Sequence, residues 1–511
     1  MHTNHRRNFV RSKSKDSVSS EKHIEVSIDK FAIRKYKNYG VAVLEDRAIP
    51  DYRDGMNPVN RRVLWSAYEL GVRSTGKFVK SARIVGDTLG RFHPHGDSSC
   101  YGAMVGMTNV GTAVNNIRCG LFEGEGNWGS FSNRSSAAMR YTEARLSKFA
   151  DEVLFNKFYL PVVETGPNFD SSGKEPVLLP ALLPLVFLNG RFGIAPGAQT
   201  NIPSFEYRSV LKTLKAIYDG QEITPKFLYQ NLKVCTLFGG SERPDTTTKE
   251  ERLERLSLFK TTSGRVTCWG NPVFDEKAKT IVANRFGNAK VNVEKLIATL
   301  SGFEGVQSVL DDSSKGEKYG TIKIILRRNL TTVAYAKLLK KVDVELSSRE
   351  NYILNFTERY LDNEGQAQAR MKPQSVTEAL TNWVQWRIEL ERKACAYWIG
   401  ETVKQIRKLE LLLLAVDNRK LIIESLDKDL DQDALEDWLA KKLKITKQEA
   451  AFIYDLKVRQ LRKLERKGLE AQMKEVLARK KTLERRKAKP EPFLAEQLKD
   501  FVHLLPSENK K

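Results

Sequence analysis

Residues 80–98 read KSARIVGDTLGRFHPHGDS, and this stretch decides the fold of the first part of the chain. Apolar residues at helical spacing predict a helix over 81–92. The HPHG segment that follows cannot continue this helix, because proline lacks the backbone N–H that the helix needs. Asp97 and Ser98 are natural N-caps for a second helix through residue 107. Helix, tight turn and helix together form the outline of a DNA-reading helix-turn-helix.

The surroundings of this segment are basic. A further helical pattern, RRVLWSAYEL, occupies residues 61–70, and residues 47–91 contain nine Lys or Arg against four Asp or Glu. The whole chain has 85 Lys and Arg against 63 Asp and Glu, which gives a net charge of +22. A surplus of this size indicates a polyanionic partner and favours nucleic acid over an anionic membrane surface.

Length and composition indicate a globular chain of several domains. At 511 residues, and with roughly 100–200 residues per domain, about three domains are expected. No apolar run reaches the length of about 18 residues that a membrane-spanning helix needs. The five cysteines are scattered and include no CxxC pair, so the sequence predicts neither a disulfide framework nor a zinc site. We expect reduced thiols in a cytoplasmic protein.

Changes in composition divide the chain into segments with distinct character. The first is predicted to be a disordered basic tail, the second is helical with frequent glycine, and the third mixes short apolar runs such as TIKIIL (321–326) with Gly/Pro turns, as in an α/β domain. The fourth consists of long helices and is followed by a short tail. The predicted boundaries are 1–25, 26–163, 164–372, 373–505 and 506–511.

Two long helical patterns dominate the fourth segment. Residues 375–416 and 454–489 carry apolar residues at steps of three and four, which predicts an antiparallel coiled coil with a helical knob at about 415–455. Residues 457–489 contain 14 Lys or Arg against four Asp or Glu. This run is either a solvated coiled-coil face or a surface that faces DNA.

Two motifs suggest other chemistry, and both are incomplete. GVRSTGKF (71–78) nearly matches a phosphate-binding loop, but Phe78 replaces the hydroxyl that would hold magnesium. His93 and His95 could belong to a metal site, yet the other four histidines lie near the chain ends. At a basic helical turn, contacts to phosphate or sugar are the favoured role for this pair.

Four blocks in order resemble a known family: RAIPDYRDGMNPVNRRVL (47–64), KSARIVGDTLGRFHPHGDS (80–98), GEGNWGS (124–130) and AAMRYTEARL (137–146). They are similar to the breakage-reunion subunit of type IIA DNA topoisomerases, which includes the A subunits of gyrase and of topoisomerase IV and the medium subunit of phage topoisomerases. The layout resembles the phage protein most. Further similar stretches are LLPLVFLNGRFGIAPGAQTNIP (182–203) and TKQEAAFIYDLKVRQLRKLE (446–465).

The resemblance implies a multidomain α+β fold. In this interpretation, 26–163 is a winged-helix DNA-binding and cleavage domain and 164–372 is an α/β tower domain. Residues 373–505 would form the long antiparallel coiled coil, with the knob at 415–455 as a helical dimerisation gate.

The resemblance also implies the chemistry of the site. Tyr141 would attack a DNA phosphodiester and leave a 5′-phosphotyrosyl link with a free 3′-hydroxyl. A phenol with a pKa of about 10 needs help to lose its proton, but it is a fair leaving group, so the break can be resealed without an energy source. Arg140 would stabilise the charge that builds on the phosphoryl oxygens.

Other positions match DNA-contacting residues of the family. Arg47, Arg61 and Arg62 would bind phosphates. His93 and His95 would lie beside the cleavage site, where they either assist proton movement or grip the backbone.

Two further positions match residues that contact DNA or drugs. Leu183 falls where the family has an apolar residue that wedges between base steps, although a plain core leucine is the alternative. Ser98 matches a serine that contacts quinolone drugs, but Gly102 stands where those members carry an acid.

Two departures from the family pattern carry further expectations. Met56, Asn57 and Asn60 replace the usual Leu, Lys and His, which would weaken the local phosphate contact. The sequence also contains no C-terminal β-pinwheel or gyrase box, so we expect relaxation and decatenation rather than the introduction of negative supercoils.

The implied partners are double-stranded DNA and an ATPase/TOPRIM subunit. Mg²⁺ and ATP are both expected in that partner, since the sequence carries no ATPase motif and no acidic metal-binding module. The implied assembly is a homodimer of this chain within a heterotetramer, in the bacterial cytoplasm and possibly encoded by a phage. Two other functions stay open: a non-catalytic DNA-organising coiled-coil protein of the same fold, and an RNA-binding scaffold suggested by charge alone.

Overall fold

A computed structural model describes most of the chain. The described residues are 28, 49–108, 119–129, 135–195, 198–236, 238–243, 248–287, 291–313, 320–426, 431–456 and 466–504. Sixteen helices and several small sheets occur among them, in agreement with the predicted α+β class. The predicted tails at 1–25 and 506–511 lie outside the described residues.

Three helices and one small sheet form the unit that contains the segment 80–98. The helices are Pro58–Glu69, Ser81–Arg91 and Asp97–Thr108. The first begins behind Asn57, whose side chain accepts a hydrogen bond from the backbone N–H of Asn60. The strands pair antiparallel in the spatial order Val79–Lys80, Glu143–Leu146 and Phe122–Glu125. Both helices predicted from 80–98 are confirmed, with ends that differ by one residue.

The middle of the chain adds two four-stranded antiparallel sheets. The first has the order Ser263–Cys268, Ser348–Ile353, Ala198–Ile202 and Arg191–Ala195. The second has the order Val273–Asp275, Thr280–Ala283, Ile322–Leu326 and Val306–Asp311. The TIKIIL run is the strand Ile322–Leu326, and its alternate residues are buried.

Shorter elements connect these sheets to the rest of the molecule. The two-stranded pairs are Thr165–Pro167 with Lys174–Pro176, Ser204–Phe205 with Val234–Cys235, and Asn355–Leu361 with Ala367–Pro373. A 3-10 turn covers Leu160–Val162. The shorter helices are Lys148–Val153, Leu185–Asn189, Tyr207–Tyr218, Pro225–Asn231, Lys249–Lys260, Val293–Ser301 and Thr332–Glu345.

Two antiparallel helices dominate the C-terminal part. The long helix, Val376–Asp417, starts at a capping box formed by Ser375 and Glu378. The return helix, Arg466–Ala488, lies antiparallel to it, because Arg466 pairs with Asp417 while Arg486 pairs with Glu391. Between and after them lie the helices Arg419–Leu426, Gln432–Leu443, Lys447–Tyr454 and Glu491–Val502. Residues 457–465 of the predicted second helix lie outside the described residues.

The main hydrophobic core crosses the predicted domain boundary at 163/164. One cluster joins Phe155 before that boundary with Leu183 and Phe356 after it, and with Trp383 of the long helix. Residues 238–346 have a core of their own, as does the knob between Leu411 and Ile453. The helices of the first unit are therefore held by segments from three predicted domains. No helix in the described part of the chain is both long and apolar enough to cross a membrane.

Candidate active site and nucleic-acid interface

Tyr141 is displayed at the surface on a fixed backbone. Its side chain is 64% exposed, and it ends the turn Met139–Tyr141 directly before the strand Glu143–Leu146. The helix Ser81–Arg91 has no side-chain N-cap, so its first N–H groups need other acceptors. The carbonyls of Thr142 and Met139 accept from the N–H groups of Ser81 and Ala82 at 3.0 and 3.3 Å. Residues 139–142, which we call the tyrosine turn, thus cap the first helix of the predicted helix-turn-helix.

A chain of hydroxyl groups fixes the turn from its other side. Tyr101, from the helix Asp97–Thr108, donates its hydroxyl to the carbonyl of Ala137 at 2.7 Å and lies 2.9 Å from Thr142 Oγ1. Ser81 Oγ lies 2.8 Å from the same oxygen of Thr142, a fully buried residue. Because the one proton of Tyr101 goes to Ala137, Thr142 donates to Tyr101 and Ser81 donates to Thr142. The sequence analysis did not identify Tyr101, Thr142 or Ser81 as functional residues.

Arg140 lies against the ring of Tyr141. Its guanidinium carbon is 4.7 Å from the ring centroid, within the range of a cation–π contact. The side chain is exposed, and none of the described carboxylates forms an ion pair with it. A cation is therefore held beside the phenol at a solvent-facing surface.

Arg61 does not lie where a phosphate contact requires it. It is 3% exposed, and its guanidinium forms two hydrogen bonds with Asp54 at 2.7 and 3.0 Å and a third with the carbonyl of Met56 at 3.1 Å. Asp54 also accepts from the backbone N–H of Leu179 at 3.1 Å. The sequence predicted a phosphate contact for Arg61, and the structure corrects this prediction. Arg61 instead forms a buried ion pair that joins two parts of the main core.

Arg62 and the two histidines form one group. Arg62 binds both carboxylate oxygens of Glu175 at 2.7 Å, and its Nη1 lies 3.1 Å from Nδ1 of His93. Since a guanidinium only donates, Nδ1 of His93 is the acceptor and is unprotonated in this arrangement. His93 is buried, and its ring stacks on the exposed His95 with centroids 4.3 Å apart. His95 is therefore the member of the group that is open to a ligand.

Other predicted positions have mixed outcomes. Leu183 is fully buried in the main core, so the structure favours the core alternative over a wedge between base steps. Ser98 and Gly102 are exposed on the helix Asp97–Thr108. Arg47 lies outside the described residues.

The residues that depart from the family pattern face the interior. Met56 is buried in the main core, and Asn57 and Asn60 are buried at the start of the helix Pro58–Glu69. Asn57 supplies the N-cap of that helix. The local effect of these replacements is therefore on helix capping and packing, since none of the three side chains is open to a phosphate.

Metal binding by this chain finds no support in the described residues. They contain no group of three or more His, Cys, Asp or Glu side chains that could hold a metal ion. The placement of Mg²⁺ in a partner protein stays a prediction.

Comparison with known proteins identifies the family. The family model that describes the A subunit of DNA gyrase/topoisomerase IV matches residues 47–501. The A subunit of DNA topoisomerase 4 from Salmonella typhimurium is 33% identical over 459 residues, which cover 88% of this chain and 58% of that protein. The same protein from Pseudomonas aeruginosa is 32% identical, covering 90% and 58%. The A subunit of DNA gyrase from Brachyspira hyodysenteriae is 29% identical, covering 91% and 54%.

The chain thus spans a little over half the length of these curated relatives. The match takes in all four of the quoted blocks, from Arg47 to Leu146. The chain belongs to the family of DNA gyrase and topoisomerase IV A subunits.

Proposed function

We propose that this chain cleaves and rejoins duplex DNA through Tyr141, as the DNA-handling subunit of a type IIA DNA topoisomerase. The observation that carries the proposal is an exposed tyrosine on a turn fixed by hydrogen bonds at both ends, with Arg140 against its ring. Membership of the family of gyrase and topoisomerase IV A subunits supports it. A relative that had lost the cleavage activity would have no need to keep Tyr141 on a fixed turn with Arg140 against its ring.

The step is a transesterification. The phenol oxygen of Tyr141 attacks phosphorus, the bond from phosphorus to the 3′-oxygen breaks, and a 5′-phosphotyrosyl ester forms. The phenol proton leaves to solvent or a base, and the departing 3′-oxygen takes up a proton. Rejoining is the reverse reaction, in which the 3′-hydroxyl attacks and the phenol leaves, so the number of phosphoester bonds is conserved and no external energy is needed for resealing.

Arg140 and His95 have distinct roles in this proposal. Arg140 can leave the ring of Tyr141 to donate to the phosphoryl oxygens, where its permanent charge stabilises the transition state. His95 is exposed and stacks on His93, which Arg62 orients, so it grips the phosphate backbone near the cut. Arg47 retains its expected phosphate contact within the proposal.

The larger elements take the roles that the family implies. We assign the winged-helix DNA-binding role to 26–163, the tower to 164–372 and the coiled coil to 373–505. Two copies of the chain would meet through the first unit and through the knob at 415–455.

Completion of the reaction requires a partner protein with ATPase and TOPRIM functions. It would hold Mg²⁺, which supplies Lewis-acid stabilisation of the phosphoryl group, and ATP, whose hydrolysis drives strand passage. We place two copies of this chain with two copies of the partner, acting on DNA in the bacterial cytoplasm. This chain alone should then bind DNA and cut it poorly.

A covalent-adduct assay tests the proposal. The chain is incubated with supercoiled plasmid, Mg²⁺ and an ATPase/TOPRIM partner whose competence has been verified with a related topoisomerase of known activity, then stopped with SDS and digested with protease. We expect linear, protein-linked DNA from the wild type and none from Tyr141→Phe. The matched control is Tyr360→Phe, because Tyr360 is 43% exposed and Arg370 lies 6.0 Å from its ring.

Each outcome decides between the candidate functions. An adduct that persists in Tyr141→Phe would overturn the choice of nucleophile. No adduct from the wild type, with DNA binding intact, would favour the non-catalytic DNA-organising protein. Equal affinity for duplex RNA and duplex DNA would favour the RNA scaffold.

A further inference from the structure

The return helix carries a charged surface that the chemistry at Tyr141 does not use. Of the residues in Arg466–Ala488, nine are Lys or Arg and three are Glu. Some of these cations are paired within the protein: Arg466 with Asp417 and Glu470, Lys480 with Glu484, and Arg486 with Glu391. Arg479 lies 5.5 Å from the ring of Trp398. Five cations of the helix remain, and four of them lie on one side of it.

Three lysines lie on one line of this helix. The buried residues of the helix are spaced seven apart: Leu469, Val476 and Leu483. The lysines are exposed, and each stands two positions before a buried residue: Lys467, Lys474 and Lys481. Two positions correspond to a rotation of about 200° at 3.6 residues per turn. The lysines therefore point almost directly away from the seam that packs on the long helix.

Arg485 extends the line by one turn beyond Lys481 and is also exposed. We call Lys467, Lys474, Lys481 and Arg485 the lysine face. None of the four has a carboxylate within ion-pair distance among the described residues. Like charges that stand on one line without neutralising partners repel one another in the isolated chain. Their electrostatic energy becomes favourable when a polyanion covers them.

The spacing of the face fits the backbone of a duplex. Seven residues rise about 10.5 Å, so Lys467 and Arg485 are about 27 Å apart along the helix. At about 3.4 Å per base pair, this length corresponds to roughly eight base pairs, and each cation can meet a different phosphate. Its three lysines present compact point charges, which suit contacts to phosphate oxygens.

We propose that the lysine face binds the phosphate backbone of a DNA duplex without reading its sequence, at a surface separate from the tyrosine turn. The face runs along the paired helices from Asp417, next to the knob, toward Glu391, next to the main core. This binding goes beyond the proposed cleavage and requires none of the chemistry of Tyr141.

Salt-dependent DNA binding tests the proposal in the full chain. The variant is Lys467→Gln/Lys474→Gln/Lys481→Gln, and the probe is a fluorescent duplex of about 30 base pairs whose affinity is measured between roughly 50 and 200 mM KCl. Each lost phosphate contact lowers the slope of log affinity against log salt by about 0.9, so we expect a decrease of about 2.7. A Lys→Arg triple variant at the same positions should keep the wild-type slope.

A matched control separates this face from charge in general. Lys226, Lys295 and Lys337 are exposed lysines on other helices with no ion pair in the described structure, and changing all three to Gln removes the same charge. An unchanged slope in the lysine-face variant, or an equal decrease in the control, would overturn the proposal. Equal competition by poly-glutamate at the same charge concentration would overturn the choice of DNA as the ligand.

The covalent-adduct assay on the same variants keeps the two proposals apart. With the competent partner present and DNA at a saturating concentration, the lysine-face variant should give the wild-type yield of adduct, because Tyr141 and its supporting residues are unchanged. A lost adduct with an unchanged salt slope would contradict the separation of the two surfaces. Failure of the wild type to form an adduct would refute the cleavage proposal and leave the slope measurement intact.

Discussion

Tyr101 fixes the tyrosine turn through one hydroxyl, which bonds to Ala137 and Thr142. Tyr101→Phe removes both bonds and keeps the ring beside Trp128. Each hydrogen bond contributes about 1 kcal/mol, and about 1.4 kcal/mol is a factor of ten in rate. We expect the single-turnover rate of adduct formation to fall roughly tenfold or more, with unchanged affinity for DNA. A wild-type rate in this variant, at saturating DNA, would show that the hydroxyl chain does not position the nucleophile.

Arg61 offers a second test at the scale of one residue. Asp54 is fully buried, so Arg61→Ala leaves a carboxylate without its charged partner in the core. Breaking a buried pair in this way costs about 3–5 kcal/mol. We therefore expect a clear decrease in the melting temperature of the protein. A stable Arg61→Ala protein with weakened DNA binding would instead restore the phosphate contact that the sequence suggested.

The junction between the two long helices and the main core depends on one buried carboxylate. Glu391 is fully buried and accepts hydrogen bonds from Tyr159 at 2.7 Å, Arg387 at 3.2 Å and Arg486. Burial raises the pKa of Glu391, but Arg387 and Arg486 outweigh it, and the pKa lies below its usual range. The carboxylate is thus the charge that holds two arginines from different helices.

This lowered pKa predicts a dependence of stability on pH. A depressed pKa in the folded state contributes stability that is present above the usual pKa of about 4.3 and is lost as pH falls through the folded value. Glu391→Gln should therefore melt at a lower temperature than the wild type at neutral pH. The difference should shrink as pH decreases below about 4. A difference that stays constant from neutral to strongly acidic pH would contradict the assigned charge of Glu391.

Elements were more predictable from the sequence than the environment of single side chains. Helical spacing and capping residues are local signals, and they located Ser81–Arg91, Asp97–Thr108 and the long helix to within a residue or two. Burial depends on what packs against an element, so the buried pair of Arg61 was not predicted, and for Leu183 the sequence left a core position and a DNA wedge both open. The role of Tyr101 depends on hydrogen bonds to residues that are distant in the sequence, which no local pattern contains.

The division of the whole molecule into cores predicts how it unfolds. Residues 238–346 have their own hydrophobic cluster, in which Ile324 is fully buried. Ile324→Ala should cost about 2–4 kcal/mol and lower one calorimetric transition only. Phe356→Ala, in the main core, should lower the other transition and reduce adduct formation. A single transition that shifts equally in both variants would show that the cores unfold together.

The capping of the helix Ser81–Arg91 by the tyrosine turn has a mechanical consequence. In the proposed reaction, a DNA end esterified to Tyr141 would be tethered by one side chain, and any pull on it would pass through the carbonyls of Met139 and Thr142 to that helix. The helix is anchored in turn in the main core through Ile84 and Val85. The load is therefore carried by packed helices and not by a compliant loop. If the proposed cleavage occurs here, a broken DNA end could travel only as far as the whole unit moves, which would keep the two ends of a break in register for rejoining.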